Sequence, residues 1–444
     1  MNLTYYTTTY ENNKKKTVMQ EIPFRHDPER ENELINLYPD VTYQTLAGFG
    51  GAITDSAAYV YSLMDAEQKK EMVGRYFDRK AMKYRFVRIP IDSCDFSLEH
   101  YEADGEEDDE AFAHFSFERV EKYILPLLDD AQKAYGDRLE IMLSPWSPPA
   151  YMKTNGERNN GGKLKPEYRK RWAEYICRYI EEYRNRGYLV TKLTMQNEPK
   201  ATQTWDSCVY TAQEEKEFLT EALYPALVSH GLDDIDIYIW DHNKERAFEW
   251  AKEIIDETTD AMIKGIAFHW YSGDHFEALR MIRERFPQKE LLLSEACIEY
   301  RVYGTEGSLA NAQKYAHEMI GNLNEGMETF FDWNLILDEQ GGPNHVGNFC
   351  DAPYLYDTGK KILTESNILG YLWHFCYFLE SGSHRIGCSR YTDTLEVTAF
   401  QKGERTSVVI LNRTAQERKA YLRMGEQTAE IVCPPSSISS GIIY

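Results

Sequence analysis

Two glutamates occupy positions from which a pair of carboxylates could cleave a glycosidic bond. Glu198 follows the segment Leu189–Gln196, in which β-branched and apolar residues alternate with polar ones until Pro199 stops the pattern. Glu295 ends a second apolar segment, Leu291–Ser294. A glycoside hydrolase requires such a pair, because one carboxylate attacks the sugar or activates water while the other protonates the leaving oxygen. The alternative is that each glutamate caps a strand or pairs with an arginine.

The ends of the other strand-like segments carry side chains suited to a sugar ring. Asp, Asn and Arg can form paired hydrogen bonds with neighbouring hydroxyls, while Trp and Tyr offer flat surfaces to the C–H faces of the ring. The residues concerned are Asp55, Arg88, Asp92, Trp146, Asp241, His269, Trp270, Tyr271, Asp332, Trp333 and Asn334. Each tryptophan alone would fit a packed core equally well. Their shared position at strand ends is what indicates a carbohydrate site.

Such a site needs a fold that brings many strand ends together. Eight strand-like segments alternate with helical segments, which is the pattern of a (β/α)₈ TIM barrel with its active site at the C-terminal ends of the strands. The predicted strands are Thr45–Thr54, Arg85–Asp92, Leu139–Trp146, Val190–Asn197, Ile235–Asp241, Ile263–Tyr271, Glu290–Ala296 and Thr329–Leu337. An open doubly wound sheet is the alternative. However, Gly48-Phe-Gly-Gly51 lacks the GxGxxG spacing of a dinucleotide site and the helix immediately behind it.

The two ends of the chain are predicted to form an appended all-β sandwich domain. Residues 1–40 contain two extended segments, Leu3–Tyr10 and Thr17–Pro23, which need partner strands because an isolated hairpin is only marginally stable. Alternating segments near the C-terminus can supply those partners: Thr394–Gln401, Thr406–Asn412, Ala420–Met424 and Ala429–Cys433. We therefore expect residues 1–40 to join a sandwich at 376–444, beside a catalytic barrel at 41–375.

Composition excludes several kinds of partner. The formal net charge of −22 argues against nucleic acid or an anionic membrane surface. No apolar run approaches the roughly 18 residues of a membrane span, and the N-terminus lacks the pattern of a secretory signal. The 8 cysteines form no CxxC motif or disulfide framework. We expect a cytoplasmic protein with reduced cysteines and no membrane anchor, and we leave the oligomeric state open.

No metal site or cofactor is expected. The acidic run Asp104–Glu110 departs from the spacing of an EF-hand calcium loop, so a solvated loop is the better interpretation. A metal-dependent hydrolase is an alternative class of enzyme, but the chain has no HExxH motif or comparable His–carboxylate spacing.

Eight motifs, in order along the chain, carry a family resemblance. They are Phe49-Gly-Gly-Ala-Ile-Thr-Asp55, Arg88-Ile-Pro-Ile-Asp-Ser-Cys-Asp-Phe-Ser97, Ser144-Pro-Trp-Ser-Pro-Pro149 with Lys153-Thr-Asn155, Asn197-Glu-Pro199, His269-Trp-Tyr271, Ser294-Glu-Ala-Cys297, Asp332-Trp-Asn334 and Gly342-Pro-Asn344. This set resembles glycoside hydrolase family 30, in particular its glucosylceramidase (acid β-glucosidase) branch, from about residue 46 to Asn412. The resemblance implies a retaining enzyme whose (β/α)₈ barrel is fused to a β-sandwich that uses both termini.

The resemblance also implies roles for single residues. Glu295 matches the nucleophile, Glu198 the general acid/base, and Arg88 the arginine that steadies the nucleophile. The remaining expected site residues are Asp55 and Trp146 for the far hydroxyls of the sugar, Asn197 for the 2-hydroxyl, Tyr271 beside the nucleophile, Trp333 as an aromatic floor, Asn348 as a further amide and His269 in support.

These roles require opposite ionisation states. Glu295 must be ionised to attack, so a nearby arginine and a tyrosine hydroxyl are expected to lower its pKa. Glu198 must hold a proton near neutral pH, so a drier setting and the negative field of Glu295 are expected around it. Carboxyl groups about 5–5.5 Å apart would give the covalent, retaining route, whereas a gap of about 6.5–9.5 Å would give inversion.

The leading hypothesis is a retaining β-glycosidase, β-glucosidase- or glucosylceramidase-like, that acts on small glucosides or short β-linked oligosaccharides. β-Xylosidase, β-fucosidase and β-1,6-glucanase activities are alternatives within the family. A sugar-binding barrel without catalysis is the alternative from another class, although a pure binder needs neither glutamate. Asp55 and Trp146 predict a preference for glucose over xylose, which lacks the 6-hydroxymethyl group. The polar loop Lys200–Tyr210 departs from the lipid-binding branch, so a soluble aglycone is expected.

Overall fold

The structure of the chain is a computed structural model that describes residues 1–11, 14–109, 111–304 and 308–444. The β-strands are β1 (Asn2–Glu11), β2 (Lys14–Pro23), β3 (Arg25–His26), β4 (Leu34–Thr45), β5 (Gly48–Ala52), β6 (Phe86–Ile91), β7 (Glu140–Pro145), β8 (Leu189–Thr194), β9 (Asp236–Asn243), β10 (Gly265–His269), β11 (Glu290–Glu295), β12 (Ile298–Glu299), β13 (Met327–Asn334), β14 (Ile336–Asp338), β15 (Cys350–Asp351), β16 (Tyr354–Asp357), β17 (Ile362–Glu365), β18 (His384–Arg390), β19 (Glu396–Lys402), β20 (Arg405–Asn412), β21 (Arg418–Met424), β22 (Gln427–Cys433) and β23 (Ser437–Ile443).

The α-helices are α1 (Asp55–Ser62), α2 (Ala66–Phe77), α3 (Leu125–Tyr135), α4 (Arg169–Asn185), α5 (Ala212–Phe218), α6 (Tyr224–Ser229), α7 (Ala247–Ile254), α8 (Phe276–Arg285), α9 (Tyr300–Tyr303), α10 (Ser308–Asn324) and α11 (Asn367–Phe378). A π-helical turn at Leu219–Leu223 joins α5 to α6 without a break. Within the described ranges, no helix combines the length and the apolar character that a bilayer crossing requires.

The predicted (β/α)₈ barrel is confirmed. Among the described residues, eight parallel strands close a barrel in the order β5, β6, β7, β8, β9, β10, β11 and β13, and β13 pairs with β5 to complete it. The first strand is shorter than the predicted Thr45–Thr54. It runs from Gly48 to Ala52, because Thr45 belongs to β4 of the other sheet and pairs there with His384.

Alternation along β6 shows how the barrel interior is filled. Phe86 points inward and packs with the inward residues of five other strands, namely Met142, Tyr238, Ala267, Leu292 and Phe331. Val87 and Ile89 face outward and belong to the large core between the barrel and its helices. Successive side chains on a strand alternate between its faces, so Arg88 shares the inward face of Phe86 and lies one layer nearer the C-terminal rim.

The glycines of Gly48-Phe-Gly-Gly51 serve close strand packing. A Cβ atom on Gly50 would lie 2.4 Å from the backbone carbonyl oxygen of Phe86 on the neighbouring strand. Real side chains do not tolerate that separation, so glycine is required where β5 approaches β6. This explains the motif without a phosphate-binding role.

Both termini build the sandwich, as predicted. One continuous ladder runs in the order β2, β1, β23, β20, β19, β18, β4, β21, β22 and β3. It folds over a separate apolar core that includes Leu3 and Ile35 from the N-terminal strands and Val397, Ile410 and Ile431 from the C-terminal strands. The N-terminal contribution continues to the end of β4, beyond the expected boundary at residue 40.

Helix α11 connects the barrel to the sandwich through a buried histidine. His374 Nδ1 lies 2.9 Å from Ser440 Oγ on β23, and its Nε2 lies 2.8 Å from Thr8 Oγ1 on β1. Burial lowers the pKa of this imidazole to about 3. The neutral ring therefore holds the N-terminal and C-terminal strands against the helix.

The acidic run is only partly solvated. Residues 105–108 are exposed, whereas Asp104 and Asp109 are buried, and each of their carboxylates accepts a backbone N–H, from Glu106 and His114 respectively. Glu110, the last residue of the run, lies outside the described residues.

Candidate active site

A cavity of about 250 Å³ opens at the C-terminal ends of the barrel strands. Its volume is slightly below the 300–1,000 Å³ typical of drug-sized ligand sites. The lining residues are Asp95, Phe96, Trp146, Asn197, Glu198, Gln203, Trp205, His242, Asn243, Tyr271, Glu295, Cys297, Glu299, Arg301, Trp333, Asn348 and Cys350. Seven residues expected from the sequence are thus brought together here: Trp146, Asn197, Glu198, Tyr271, Glu295, Trp333 and Asn348.

A bulge in β11 places Glu295 at this cavity. Phe268 of β10 pairs with Leu293, but the next residue, His269, pairs with Glu295, so Ser294 is an extra residue in the ladder. The side chains of both Ser294 and Glu295 then lie inside the barrel mouth, where the Ser294 hydroxyl donates to the Asp241 carboxylate. β-Bulges next to active sites commonly re-aim a side chain in this way.

Unusual backbone conformations place Glu198 opposite. Its φ is 48°, and Asp241 on the neighbouring strand has a φ of 56°. Residues other than glycine rarely adopt positive φ, and such strain concentrates at functional sites. The two backbones support each other, because the Glu198 N–H donates to the Asp241 carbonyl oxygen at 3.0 Å.

Arg88 lies beneath the cavity and binds three acidic or amide groups. Its Nη1 donates to Glu295 Oε2 at 2.7 Å, and its Nη2 donates to Asp241 Oδ2 at 2.8 Å and to Asn197 Oδ1 at 3.0 Å. Its Nε donates to Ser144 Oγ at 3.0 Å. The side chain is fully buried, so these charge-assisted bonds form in a medium of low polarity.

Aromatic side chains pack against the Arg88 guanidinium and the Glu295 carboxylate. The rings of Trp146 and Trp333 stack with centroids 5.3 Å apart, and the Arg88 guanidinium carbon lies 4.8 and 5.3 Å from them. On the opposite side, the Tyr271 hydroxyl donates to Glu295 Oε1 at 2.9 Å and lies 3.2 Å from Cys297 Sγ. Both oxygens of the Glu295 carboxylate are therefore held by donors.

Two histidines lie beside Glu198. The Nδ1 atoms of His269 and His242 are 3.4 and 3.6 Å from Glu198 Oε1. His269 Nε2 is 3.0 Å from Asp241 Oδ1, which fixes the ring. Burial by itself lowers the pKa of His269, but Glu295, Asp241 and Glu198 raise it to about 9. His269 thus supports the acid/base candidate and does not line the cavity.

The ionisation of the two glutamates differs from the sequence-based expectation. Burial raises the pKa of Glu295 above its ordinary value, although His269, Arg88 and Tyr271 favour its ionised form. Burial acts in the same direction on Glu198, but His242 and His269 outweigh it and lower the pKa of that carboxyl. The expected pKa shifts took account of Arg88 and a tyrosine hydroxyl. They left out the effect of His242 and His269, which lie on two other strands, β9 and β10.

Asp55 lies outside the cavity, so its expected contact with the sugar is not supported by its position. Its carboxylate accepts two hydrogen bonds at 2.9 Å from the Arg119 guanidinium and one from the backbone N–H of Leu98 at 3.0 Å. It stands at the first position of α1, where an acidic residue favours the helix N-terminus. A structural ion pair explains this aspartate.

Asp95 supplies the cavity with the carboxylate expected from Asp55. Asn344 and Asn348 direct their side-chain amides to Asp95 Oδ2 at 3.3 and 3.4 Å. Burial and the charge of Glu295 raise the pKa of Asp95 well above its ordinary value. Asp95 belongs to the motif Arg88–Ser97. The motif also contains Asp92, and the sequence does not show which of these two aspartates reaches the cavity.

Part of the entrance side of the cavity was expected from the sequence, because the polar loop Lys200–Tyr210 was linked there to the aglycone. Gln203 and Trp205 come from the loop after Glu198, Asn243 ends β9, and Glu299 and Arg301 follow β11. These side chains make a predominantly polar entrance. Gln203 and Trp205 lie in an irregular loop, and Glu299 and Arg301 lie in the short elements β12 and α9, which are too short to show a periodic pattern.

The chain is similar in sequence to glycosidase families along nearly its whole length. The model described as "Glycosyl hydrolase family 30 TIM-barrel domain" matches residues 46–379, and that described as "Glycosyl hydrolase family 30 beta sandwich domain" matches residues 382–440. The lysosomal acid glucosylceramidase of Mus musculus is 30% identical over 402 residues, covering 86% of this chain and 78% of that protein.

Solved structures agree with the same fold. The structure described as SrfJ from Salmonella typhimurium has a TM-score of 0.95 and 36% identity, with 100% of this chain and 99% of that chain covered. The endo-β1,6-glucanase BT3312 has a TM-score of 0.87 and 25% identity, with 99% of each chain covered.

Proposed function

The chain belongs to glycoside hydrolase family 30, and from this premise we propose that it is a retaining β-glucosidase with Glu295 as nucleophile and Glu198 as general acid/base. The observation that carries the assignment of roles is the unequal support of the two carboxylates. Arg88 and Tyr271 donate to separate oxygens of Glu295 and so orient it as an anion. Glu198 faces the same cavity, and in the described part of the chain its carboxylate has imidazole nitrogens of His242 and His269 beside it, which can exchange protons.

Charge balance explains how Glu198 can hold a proton despite its histidine neighbours. Arg88 and a protonated His269 carry two positive charges, and Asp241 and Glu295 carry two negative charges. The buried cluster is therefore neutral when Glu198 is protonated. The first step requires this protonated state, although His242 and His269 hold the pKa of Glu198 below its ordinary value.

Formation of the covalent intermediate reverses this balance. When the Glu295 carboxylate becomes a glycosyl ester, its negative charge disappears, while the positive charges of Arg88 and His269 persist. The cluster then favours an ionised Glu198, which is the form needed to take a proton from water in the second step. The histidines that lower the pKa of Glu198 thus suit it for its role as base.

The sugar is expected to lie against Trp146 and Trp333, with Asn197 beside it and Asp95 at the far wall. A glucosyl unit offers hydroxyls to the Asp95 carboxylate and to Asn348, whose side-chain amide donates a hydrogen bond to Asp95. This replaces Asp55 by Asp95 as the residue that favours glucose over xylose. Sites built to bind a hydroxyl strongly disfavour a substrate that lacks it.

The polar entrance supports a hydrophilic aglycone. Gln203, Asn243, Glu299 and Arg301 would leave the chains of a lipid aglycone against polar surface, whereas a second sugar could hydrogen-bond with them. We therefore favour glucosyl disaccharides, aryl glucosides or β-1,6-linked glucan over glucosylceramide. The endo-β1,6-glucanase among the similar structures makes β-1,6-glucanase activity the second candidate.

A reducing, cytoplasmic location is part of the proposal. Each cysteine in the structure is a free thiol, and seven of the eight are buried. Unpaired cysteines are the usual condition of proteins in a reducing compartment.

The stereochemistry and substrate range test the proposal directly. Proton NMR of the first-formed sugar should show the β-anomer before mutarotation, because double displacement retains configuration. In parallel, kcat/KM values for an aryl β-glucoside, the matching xyloside and fucoside, a β-1,6-linked disaccharide, a linear β-1,6-glucan and glucosylceramide should be compared. An initial α-anomer would refute the role of Glu295. Faster cleavage of the xyloside or of glucosylceramide would refute the proposed sugar or aglycone, respectively.

A further inference from the structure

A cluster of two histidines and one aspartate lies beyond the catalytic glutamates, on loops at the same end of the barrel. His100 follows β6, Asp206 lies in the loop after Glu198, and His345 lies between β14 and β15. One potential ligand atom from each residue lies within 4.8 Å of those of the other two. The three loops are distant in sequence, so no spacing motif announces this group.

His345 presents a free lone pair. Its Nδ1 lies 3.0 Å from the backbone carbonyl oxygen of Ser97, which can only accept a hydrogen bond. Nδ1 must then carry the proton, and Nε2 is left as an acceptor. Nε2 is buried and has no hydrogen-bond partner within the described ranges. An imidazole whose second nitrogen donates to a carbonyl is the arrangement that orients metal-binding histidines.

Asp206 and His100 face each other in the same cluster. The Asp206 carboxylate is fully buried, and both of its oxygens lie near His100 Nδ1, at 3.2 and 3.3 Å. The His100 and His345 rings are 4.5 Å apart, edge to face. Two imidazoles and a buried carboxylate thus converge, with one potential ligand atom from each within 4.8 Å of the others.

The surrounding charge favours a cation. Arg158 contacts Asp206 at 2.9 Å, but its Nη1 is also 3.4 Å from Asp92 and 3.2 Å from Glu102. One guanidinium therefore faces three carboxylates next to the histidines, with the buried Lys153 as a further cation nearby. A bound cation would add to the positive charge opposite these carboxylates.

We propose that His100, Asp206 and His345 form a structural site for a divalent transition-metal ion of the zinc class. Two imidazoles and one carboxylate match the preferences of Zn²⁺, whereas Mg²⁺ and Ca²⁺ prefer oxygen ligands. The ion would join three loops that also carry cavity residues. Asp95 and Phe96 precede His100, Trp205 precedes Asp206, and Asn348 follows His345. The sequence, in contrast, predicts no metal site.

The test uses the full chain after removal of metal by chelation and dialysis. Isothermal titration with ZnCl₂ should show one saturable site, and zinc should raise the midpoint of thermal unfolding in a concentration-dependent manner. His100→Ala, a change at an exposed side chain, should weaken zinc binding at least tenfold. His345→Gln, which keeps a donor toward Ser97, should do the same. MgCl₂ and CaCl₂ should produce no comparable shift.

Two controls keep the result specific. Glu198, His242 and His269 form a second group with ligand atoms within 4.8 Å, so His242→Gln tests whether zinc binds there instead. Under the proposal His242→Gln and the exposed sandwich variant His384→Gln bind zinc like the wild type. Unchanged binding in both His100→Ala and His345→Gln, loss of binding in His242→Gln, or the absence of a saturable site at millimolar zinc would each overturn it.

Discussion

Arg88 Nη1 donates to Glu295 Oε2 at 2.7 Å, and this pair joins the inward face of β6 to the end of β11. The guanidinium is fully buried and also neutralises Asp241, 2.8 Å away. One cation thus sets the position of the proposed nucleophile and stabilises the aspartate that holds His269. The acid/base and the nucleophile are linked through this residue.

Removal of Arg88 is predicted to impair both folding and catalysis. Arg88→Met removes the guanidinium that pairs with the buried Asp241 and Glu295 carboxylates, and loss of one partner from a buried ion pair typically costs about 3–5 kcal/mol in the free energy of unfolding. The measurement is urea-induced unfolding, together with kcat for an aryl glucoside. As a control, Arg246→Met breaks an exposed pair with Glu249 and should cost about 1 kcal/mol or less. Equal losses in both variants would contradict the importance of the buried pair.

The two glutamates are predicted to fail in different ways. Glu295→Gln should abolish turnover of every glycoside, because no covalent intermediate can form. Glu198→Gln should still allow glycosylation by a dinitrophenyl glucoside, whose leaving group needs no proton, and added azide should restore turnover by attacking the intermediate. Steady-state rates with and without azide distinguish the two. If both variants lost activity equally and neither responded to azide, the assignment would fall.

Asp95 is predicted to govern the choice of sugar. Asp95→Asn should lower kcat/KM for an aryl glucoside by roughly 10- to 100-fold, because a buried hydrogen-bonding partner of the sugar is lost, and should change the xyloside value little. The matched control is Asp55→Asn, which weakens the ion pair with Arg119 and should reduce stability while preserving the preference for glucose. If Asp55→Asn removed the preference for glucose and Asp95→Asn preserved it, Asp55 would be the residue that selects the sugar.

His374 is predicted to make the free energy of unfolding depend on pH. Its folded pKa is about 3, below the value of about 6.5 expected in the unfolded chain. Below pH 6.5 the unfolded state therefore binds a proton that the folded state does not, so stability falls as pH falls through this window. Above pH 6.5 the group has no such effect.

Comparison with His374→Gln isolates this contribution. Between pH 6 and pH 5 the wild type should lose about 1 kcal/mol more than the variant, as follows from one proton bound only by the unfolded chain. Urea titrations at both pH values give the difference. His384→Gln, at an exposed position, should keep the wild-type slope. Parallel pH dependence in the wild type and His374→Gln would show that the buried imidazole does not contribute.

Local patterns in the sequence were sufficient to predict the barrel and the two glutamates. These patterns are the alternation along strands, the stop at Pro199 and the repeated strand–helix order. They depend on residues close together in the chain, so they are visible without knowledge of the tertiary contacts. The partnership of the two termini was predictable for a related reason, since Leu3–Tyr10 has the pattern of a strand and no local partner.

Only the tertiary structure decided which side chains reach the cavity. The bulge at Ser294 turns Glu295 inward, and Arg119 withdraws Asp55 into an ion pair while leaving Asp95 at the cavity wall. The histidines beside Glu198 that reverse its expected pKa shift, His242 and His269, come from two other strands. Charge, burial and side-chain direction at this site arise from contacts between distant segments, and those contacts leave no periodic signal in any one segment.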